Sequence, residues 1–503
     1  MARKLRMYQV EAVKELLDKK RILVADEMGL GKTIEGIVGK TAIELQNYKN
    51  KYAIGALVTC PLSVVDTWRS EIPRWYQYGE DSKIVHLTLQ DFQRQLADAR
   101  DADFVILDYY TLSRLGTDRS ALAKIARIDF EYGIIDEGHN AKNPEALRTM
   151  AVQHLFGNMN YLMSLTGTPM PNRVSDIYML MHLLDAEKFP IDSTDPSKLV
   201  SAFFRTFKRN PEVVKNLLGE KMLRRSVKDY LGMHVPELEQ DVVEVELIGD
   251  HERVYQAILE ASFPYRYRGV KLVQLQKAML DPCLVEPSYL PDSLARRQKF
   301  MQSCTYERID SLLRDISRKN GKALIFSRFR EGVTDNIAAR WDAYSPVIID
   351  GEDYSREVEG YEAISTGIRK REFLRKRFQT DPKTRLMITT TVMNEGVDLT
   401  AATDVVHLGL PYTPSEFDQR NRRSWRFGEV QKDVVRAHII KTVLSNGAPT
   451  LDQGLEEMIE NKRRQTTYLL EQPFKLTLED WEDLKQLSLV RSRHLKPFLD
   501  GKE

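Results

Sequence analysis

Short apolar runs alternate along the first third of the chain with longer stretches whose apolar residues recur at helical spacing. Ile22, Leu23 and Val24 form one such run, followed by TIEGIVGKTAIEL, in which Ile34, Ile37, Val38 and Ile43 fall on one helix face. The same alternation continues through ALVTCP (56–61), the helical SVVDTWRSEIPRW, KIVHL, FVILDYYTL (104–112), YGIIDEGHN (132–140) and YLMSLTGTPMPN (161–172). Apolar strands separated by helices predict a parallel sheet covered on both faces. A helix over LRMYQVEAVKELL (5–17), with Val13, Leu16 and Leu17 on one face, precedes it.

From about Ser175 the period becomes helical throughout (MLMHLLDAEKF, AFFRTFKR, VVKNLLGEKMLRRSV, VYQAILEASF), interrupted only by VVEVEL (242–247), which alternates like an extended linker. Strands return at ALIFSRF (323–329), PVIID (346–350), RLMITTT (385–391) and DVVHLG (404–409), again between helices, and the tail from about Leu451 is helical. The expected fold is therefore α/β: two parallel-sheet lobes with α-helical insertions and a helical C-terminal tail. The expected boundaries are a first lobe over 1–190, helical insertions and linker over 191–305, a second lobe over 306–445 and a helical brace over 446–503.

Composition narrows this little. At 503 residues the chain is too long for one core. The 74 Lys and Arg against 73 Asp and Glu leave a net charge of +1, so a surface for a polyanion has to be local. The three cysteines, Cys60, Cys283 and Cys304, lie far apart, suggest neither a disulfide framework nor a zinc site, and fit a reducing compartment. No uncharged apolar run has membrane-spanning length, so a soluble intracellular protein is expected.

The polar clusters fall at the carboxyl ends of the expected strands, where open α/β sheets bind ligands. In RILVADEMGLGKT (21–33) the strand ends in a glycine turn that opens a helix, which aims backbone N–H groups and the helix dipole at one spot and so suits phosphate. Lys32 can reach β and γ phosphates, and the Thr33 hydroxyl can hold Mg²⁺. The strict G-x-x-x-x-G-K-[ST] template is only partly met, because Asp26 stands where it wants glycine. A surface turn containing G-K-T is the competing reading of this stretch alone. After Ile134 and Ile135 come two carboxylates, Asp136, suited to Mg²⁺ through its water shell, and Glu137, suited to orienting a water. Gln9 offers a donor and an acceptor to an adenine edge, although an ordinary exposed helix residue is the simpler reading of it alone. The basic stretch from Arg205 to Lys228, including Arg224 and Arg225, is by default a solvated helix face, with a phosphate-tracking surface as the second reading. In QRNRRSWRFGE (419–429) crowded arginines suit either a solvated helix end or a γ phosphate in its transition state.

Taken in order, LRMYQ, DEMGLGKT, LVTCPLSVVDTWRSEIPRW, IIDEGHNAKN, SLTGTPMPN, LIFSRF, NEGVDLTAA and QRNRRSWRFGE resemble the motifs of the Swi/Snf-type family of superfamily 2 helicase-like ATPases, the motors of chromatin remodellers and related DNA translocases. MLRRSVKDYLGMHVPELE and LQKAMLDPCL resemble stretches that set this family apart from other helicases, and the likeness runs from Leu5 to about Ile440. The resemblance implies two RecA-like lobes with ATP and Mg²⁺ between them. It makes Gln9 an adenine reader, places Met28, Gly29, Leu30, Gly31, Lys32 and Thr33 around the nucleotide together with Gly396 and Asp398, and gives Thr33 and Asp136 to the metal. Lys32, Asp136, Glu137 and two arginine fingers, Arg423 and Arg426, would carry catalysis. His139, Ser164, Thr166 and Thr168 would couple hydrolysis to nucleic-acid contact, and Ser63, Tyr110 and Thr391 lie in motifs that would face the tracked strand.

The sequence departs from the family pattern at Arg422 and Trp425, where Asp and His are usual, at Glu429, where Gln is usual, and at Asp398, where Asn is usual. The finger spacing survives, but the helix presenting the fingers must pack differently. Gly138 lies within the small residues tolerated at its position. Residues 357–368 look like an insertion. The function implied is a DNA-dependent ATPase acting as a monomeric translocase on DNA, the duplex form by expectation. A strand-separating or fork-remodelling helicase is the enzymatic alternative, and an ATP-gated adaptor on a complex such as RNA polymerase is the alternative of another class.

Overall fold

In β1 (Arg21–Val24) Ile22, Leu23 and Val24 are all fully buried, as a strand sandwiched between two helical layers requires. The structure is a computed structural model that describes residues 5–46, 55–191, 195–227, 236–261, 268–350, 367–390, 399–425 and 433–470. The chain divides into two units, residues 1–233 with 464–476, and residues 234–463 with 477–503.

The first unit is built on a seven-stranded parallel sheet: β1, β2 (Gly55–Cys60), β3 (Ile84–His86), β4 (Phe104–Asp108), β5 (Phe130–Asp136), β6 (Tyr161–Leu165) and β7 (Met222–Leu223). The order is β3-β4-β2-β5-β6-β1-β7. Alternate residues of each strand feed opposite cores: Leu23, Leu57, Val105, Ile135 and Leu162 on one face, Ile22, Val24, Val58, Ile106, Ile134 and Met163 on the other. Each such side chain contributes about 1.5–3 kcal/mol on burial, so both faces must be covered by helices. Two of these are α1 (Met7–Lys19) and α2 (Lys32–Gln46).

Two expectations change here. The run 104–112 is not one strand: the Asp108 carboxylate accepts the N–H groups of Tyr110 and Thr111 at 3.0 Å each and starts the helix Tyr109–Leu115. In the stretch expected to be wholly helical, Met222 and Leu223 pair in parallel with Leu23 and Val24. A two-residue strand is too short to show a period.

The second unit holds a six-stranded parallel sheet, in the order β10-β11-β9-β12-β13-β8. Its strands are β8 (Glu237–Leu247), β9 (Ala323–Ser327), β10 (Val347–Ile349), β11 (Leu386–Thr389), β12 (Asp404–Leu408) and β13 (Val434–Leu444). VVEVEL is thus not a linker but the end of β8, which runs beside β13 from Val434↔Glu237 to Leu444↔Leu247. Only Val243, Val245 and Leu247 of it are buried, as fits an edge strand covered on one face. His438 links three strands, with Nδ1 at 3.1 Å from Asp241 and Nε2 at 2.8 Å from Asp404. The tail forms a helix over Leu451–Leu470, and the expected LEDWEDLKQLSLV helix and the 357–368 insertion's first residues lie outside the described residues.

Candidate functional site

Past Val24 the chain makes the expected turn between β1 and α2. Gly29 (φ 92°) and Gly31 (φ 83°) take left-handed backbone conformations that favour glycine, and a Cβ on Gly31 would lie 2.7 Å from Gln9 Nε2. Gln9 is 4% exposed, so it is not the ordinary surface residue of the simpler reading. Its Nε2 donates to the Leu30 carbonyl at 3.2 Å, its Oε1 accepts the Arg6 N–H at 3.0 Å, and the Tyr8 hydroxyl donates to the same Leu30 carbonyl at 2.8 Å. The base of the turn is therefore fastened to α1. Lys32 Nζ donates to the Asp26 and Glu27 carbonyls at 2.7 and 3.2 Å. Burial lowers its pKa, against the pull of the nearby Glu137 and Asp26. Met28 and Thr33 are half-buried on the same turn.

The end of β5 supplies the carboxylates. Asp136 Oδ2 accepts the Trp68 indole N–H at 2.8 Å, and its backbone carbonyl accepts the Tyr109 hydroxyl at 2.9 Å. Neither partner is legible as a site residue in the sequence: a helical period already accounts for Trp68, and Tyr109 falls in the run whose pattern predicts a strand. Burial, then the adjacent Glu137, raise the Asp136 pKa, with Lys32 opposing. Glu137 has φ 47° and ψ 51°, a left-handed conformation that costs a residue with a Cβ about 1–3 kcal/mol. Strain of this kind persists only where surrounding contacts over-determine it. Here the Thr166 hydroxyl donates to Glu137 Oε2 at 3.3 Å, His139 Nδ1 stands 3.2 Å from the same oxygen and 3.0 Å from Thr166 Oγ1, and the Thr168 N–H donates to Thr166 Oγ1 at 3.1 Å.

Three of the four residues expected to couple the site, His139, Thr166 and Thr168, thus form one network with Glu137. Ser164 does not join it: its buried Oγ has no hydrogen-bond partner among the described residues and lies 2.5 Å from where a Cβ on Gly138 would be. In this chain position 138 accepts an alanine only if Ser164 turns away.

Beneath the turn lies a feature the sequence reading missed. Asp26 and Glu35 are fully buried and meet Arg225, 5% exposed, whose Nη2 is 2.6 Å from Asp26 Oδ2 and 3.1 Å from Glu35 Oε1. Burial pushes the Glu35 carboxyl up to about 8, with Asp26 adding to it and Arg225 opposing. Arg224 and Arg225 are therefore not part of a solvated helix face. Asp26, which breaks the glycine template, was the available signal, but its partner lies 199 positions away.

Ser63 and Tyr110 are exposed, and Tyr110 has the Arg114 guanidinium 5.6 Å from its ring. Arg423, in the second unit, is 5% exposed just after the helix Pro414–Asn421, and its carbonyl accepts the Leu399 N–H at 2.9 Å. The Trp425 indole N–H donates to the Pro236 carbonyl, and the Arg422 guanidinium lies 5.2 Å from the Trp425 ring. Arg426, Gly428, Glu429, Gly396, Asp398 and Thr391 lie outside the described residues.

Two parallel α/β sheets in one chain, the first gathering a glycine turn, a lysine and paired carboxylates at its strand ends, define the class of helicase-like ATPases. Within that class the sequence matches the SNF2-related domain over residues 8–287 and the helicase conserved C-terminal domain over residues 305–428. The chain belongs to the SNF2-related family, the Snf2 branch of superfamily 2. It is 25% identical to mouse (Mus musculus) chromodomain-helicase-DNA-binding protein 6 across 95% of this chain and 18% of that protein. It is 24% identical to human (Homo sapiens) DNA excision repair protein ERCC-6 across 93% of this chain and 32% of that protein. The chain thus spans a third or less of the length of either relative. Among solved structures it is similar to the Sulfolobus solfataricus SWI2/SNF2 ATPase core in complex with dsDNA, with 21% identity, 100% of this chain and 98% of that one covered, and a TM-score of 0.42. No helix among the described residues is long and apolar enough to cross a membrane.

Proposed function

We propose that the chain is a DNA-dependent ATPase that moves along duplex DNA, with ATP hydrolysed at the strand ends of the first unit. The observation that carries this reading is the strained Glu137, tied through Thr166 to His139 and Thr168. A carboxylate held in a fixed place beside Lys32 is what a water-orienting group needs. The network on its far side gives a route by which contacts at the loop after β6 bias its position. Lys32 binds the β and γ phosphates, Thr33 and the turn's N–H groups bind the rest of the chain of phosphates, and Gln9 lies close enough to the turn to read the base.

Hard oxygen donors at Thr33 and Asp136 fit Mg²⁺, which keeps several waters and so needs few protein ligands. The raised Asp136 carboxyl fits as well, because a cation there would relieve the repulsion from Glu137. When bound, Mg²⁺ would neutralise charge building on the phosphates. Around it, Trp68 orients Asp136, Glu137 holds the attacking water, and Arg423 with Arg426 are assigned by family likeness to the transition-state charge. The motif residues Ser63, Tyr110 and Thr391 are assigned to the DNA strand on the same ground.

The test is the ATPase rate without nucleic acid and with single-stranded DNA, duplex DNA, forked DNA and RNA, side by side. Duplex is expected to stimulate most, with affinity falling steeply as salt rises. Third-strand displacement without duplex separation is expected, whereas strand separation would favour the helicase alternative. A rate indifferent to every nucleic acid would sink the motor reading and favour an adaptor.

A further inference from the structure

The segment after the helix Pro211–Gly219 runs alongside β1 and then past its end. Its carbonyls accept three N–H groups in sequence: Lys221 O from Leu23 at 2.8 Å, Leu223 O from Ala25 at 2.7 Å and Arg225 O from Glu27 at 2.9 Å. The sheet ladder therefore continues into the phosphate turn, and the side chains reinforce it. Arg225 Nε donates to both Asp26 oxygens, at 3.0 and 2.8 Å, its Nη2 reaches Glu35, its Nη1 donates to the Tyr8 carbonyl, and its plane stands 5.3 Å from the Tyr8 ring. Arg224 Nη1 donates to the carbonyls of Ala25 and, at 3.2 Å, of Gly167, in the loop after β6. The Val227 N–H donates to Glu27 Oε2 at 2.9 Å.

Three consecutive residues of the turn, Ala25, Asp26 and Glu27, are thus each held by a segment about 200 positions away. Burying two carboxylates on one guanidinium is a poor way to gain stability, since apolar side chains of the same volume do as well or better. Its effect is positional. The Asp26 carbonyl held in this way is the one that receives Lys32 Nζ at 2.7 Å.

We propose that Arg224 and Arg225 are positioning residues of the phosphate turn: Arg225 fixes Asp26 and with it the place from which Lys32 reaches phosphate, and Arg224 ties the turn to Gly167. The helical insertion that precedes this segment is thereby joined mechanically to the nucleotide site, and a partner pulling on it would alter nucleotide affinity. The proposal rests on the reading of the turn as the ATP site.

A double-mutant cycle tests it on the full chain: Asp26→Asn, Arg225→Ala, the pair together, Arg225→Lys, Arg224→Ala, and Lys32→Ala as reference. The readouts are the Kd of a fluorescent ATP analogue, KM and kcat for ATP, and the melting temperature. Arg225→Ala and Asp26→Asn are each expected to weaken nucleotide binding about tenfold or more, KM rising more than kcat falls, with the pair no weaker than the worse single variant. Arg225→Lys should fall between, and Arg224→Ala should weaken binding less. Folded variants that bind the analogue as wild type does, or losses that multiply in the pair, overturn the proposal. Should Arg225→Ala not fold, Arg225→Lys and Asp26→Asn decide. Equal binding by wild type and Lys32→Ala would remove the ATP-site assignment itself, and this proposal with it.

Discussion

Each unit buries an arginine near the carboxyl ends of its sheet, and the two are treated differently. In the first, Arg225 meets Asp26 and Glu35, while its Nη1 donates to the Tyr8 carbonyl and lies 3.6 Å from Glu11 Oε2. In the second, Arg420 is fully buried and stands 5.4 Å from the Phe326 ring, yet only its Nη2 is paired, with Glu416 at 2.6 Å. Its Nε and Nη1 have no hydrogen-bond partner among the described residues, and neither do His407 Nδ1, Asn421 Nδ2 and Ser424 Oγ beside it. His407 is pushed down to about 3 by burial and then by Arg420. The first network is closed by a distant strand and holds a phosphate turn in place. The second leaves several buried polar atoms without partners among the described residues, an arrangement that costs stability. A buried arginine near the strand ends thus has different surroundings in the two units.

The sharpest test of that contrast lies in the chemistry. Lys32→Ala is expected to reduce turnover to background, and Glu137→Gln to slow it by about 10²–10⁴-fold while nucleotide still binds. Steady-state ATPase assays with a binding control check both, and wild-type turnover in either variant would detach the first unit from catalysis.

Next in size is a matched pair, Arg225→Met and Arg420→Met. The first leaves Asp26 buried without its cation and should cost about 3–5 kcal/mol. The second removes an under-satisfied charge, leaves Glu416 partly exposed to water, and should change stability by no more than about 1 kcal/mol. Equal losses in denaturant melts would erase the distinction between the two networks.

A smaller effect concerns Asp452, 2% exposed in the second unit, whose Oδ2 accepts the Thr442 N–H and hydroxyl at 2.9 Å each while its Oδ1 has no partner among the described residues. Burial raises its pKa from 3.8 to about 6. The folded form thus binds the proton more tightly than the unfolded form. The carboxyl costs nothing below pH 3.8, and stability is lost as pH rises from there to about 6, by about 3 kcal/mol in all. Asp452→Asn, which keeps an acceptor for Thr442, should be stabilising at pH 7.5 and close to neutral at pH 4. A difference between variant and wild type that does not change with pH would show that Asp452 is not buried as a carboxylate.

What was legible depended on distance along the chain. The strands of both sheets near their glycine and acidic ends, the helices between them and the β1 turn follow from local periodicity and spacing, because each leaves its pattern in neighbouring residues. The pairings of His139 with Thr166 and of Gln9 with Leu30 were foreshadowed only as motif positions. β7, β8 as a paired strand, and β13 were not foreseen: β7 has only two residues, and β8, at the edge of its sheet, exposes most of its residues and resembles a polar linker until its neighbour β13 is known.

The order of residues alone determined the α/β class, the two sheets and the set of motif residues proposed for the nucleotide, because periodicity and short motifs are local properties. Only the tertiary structure decided why Asp26 replaces a glycine, which helices serve Asp136, and where Arg224 and Arg225 act. Buried charges find their partners in space, and no spacing rule links position 26 to position 225.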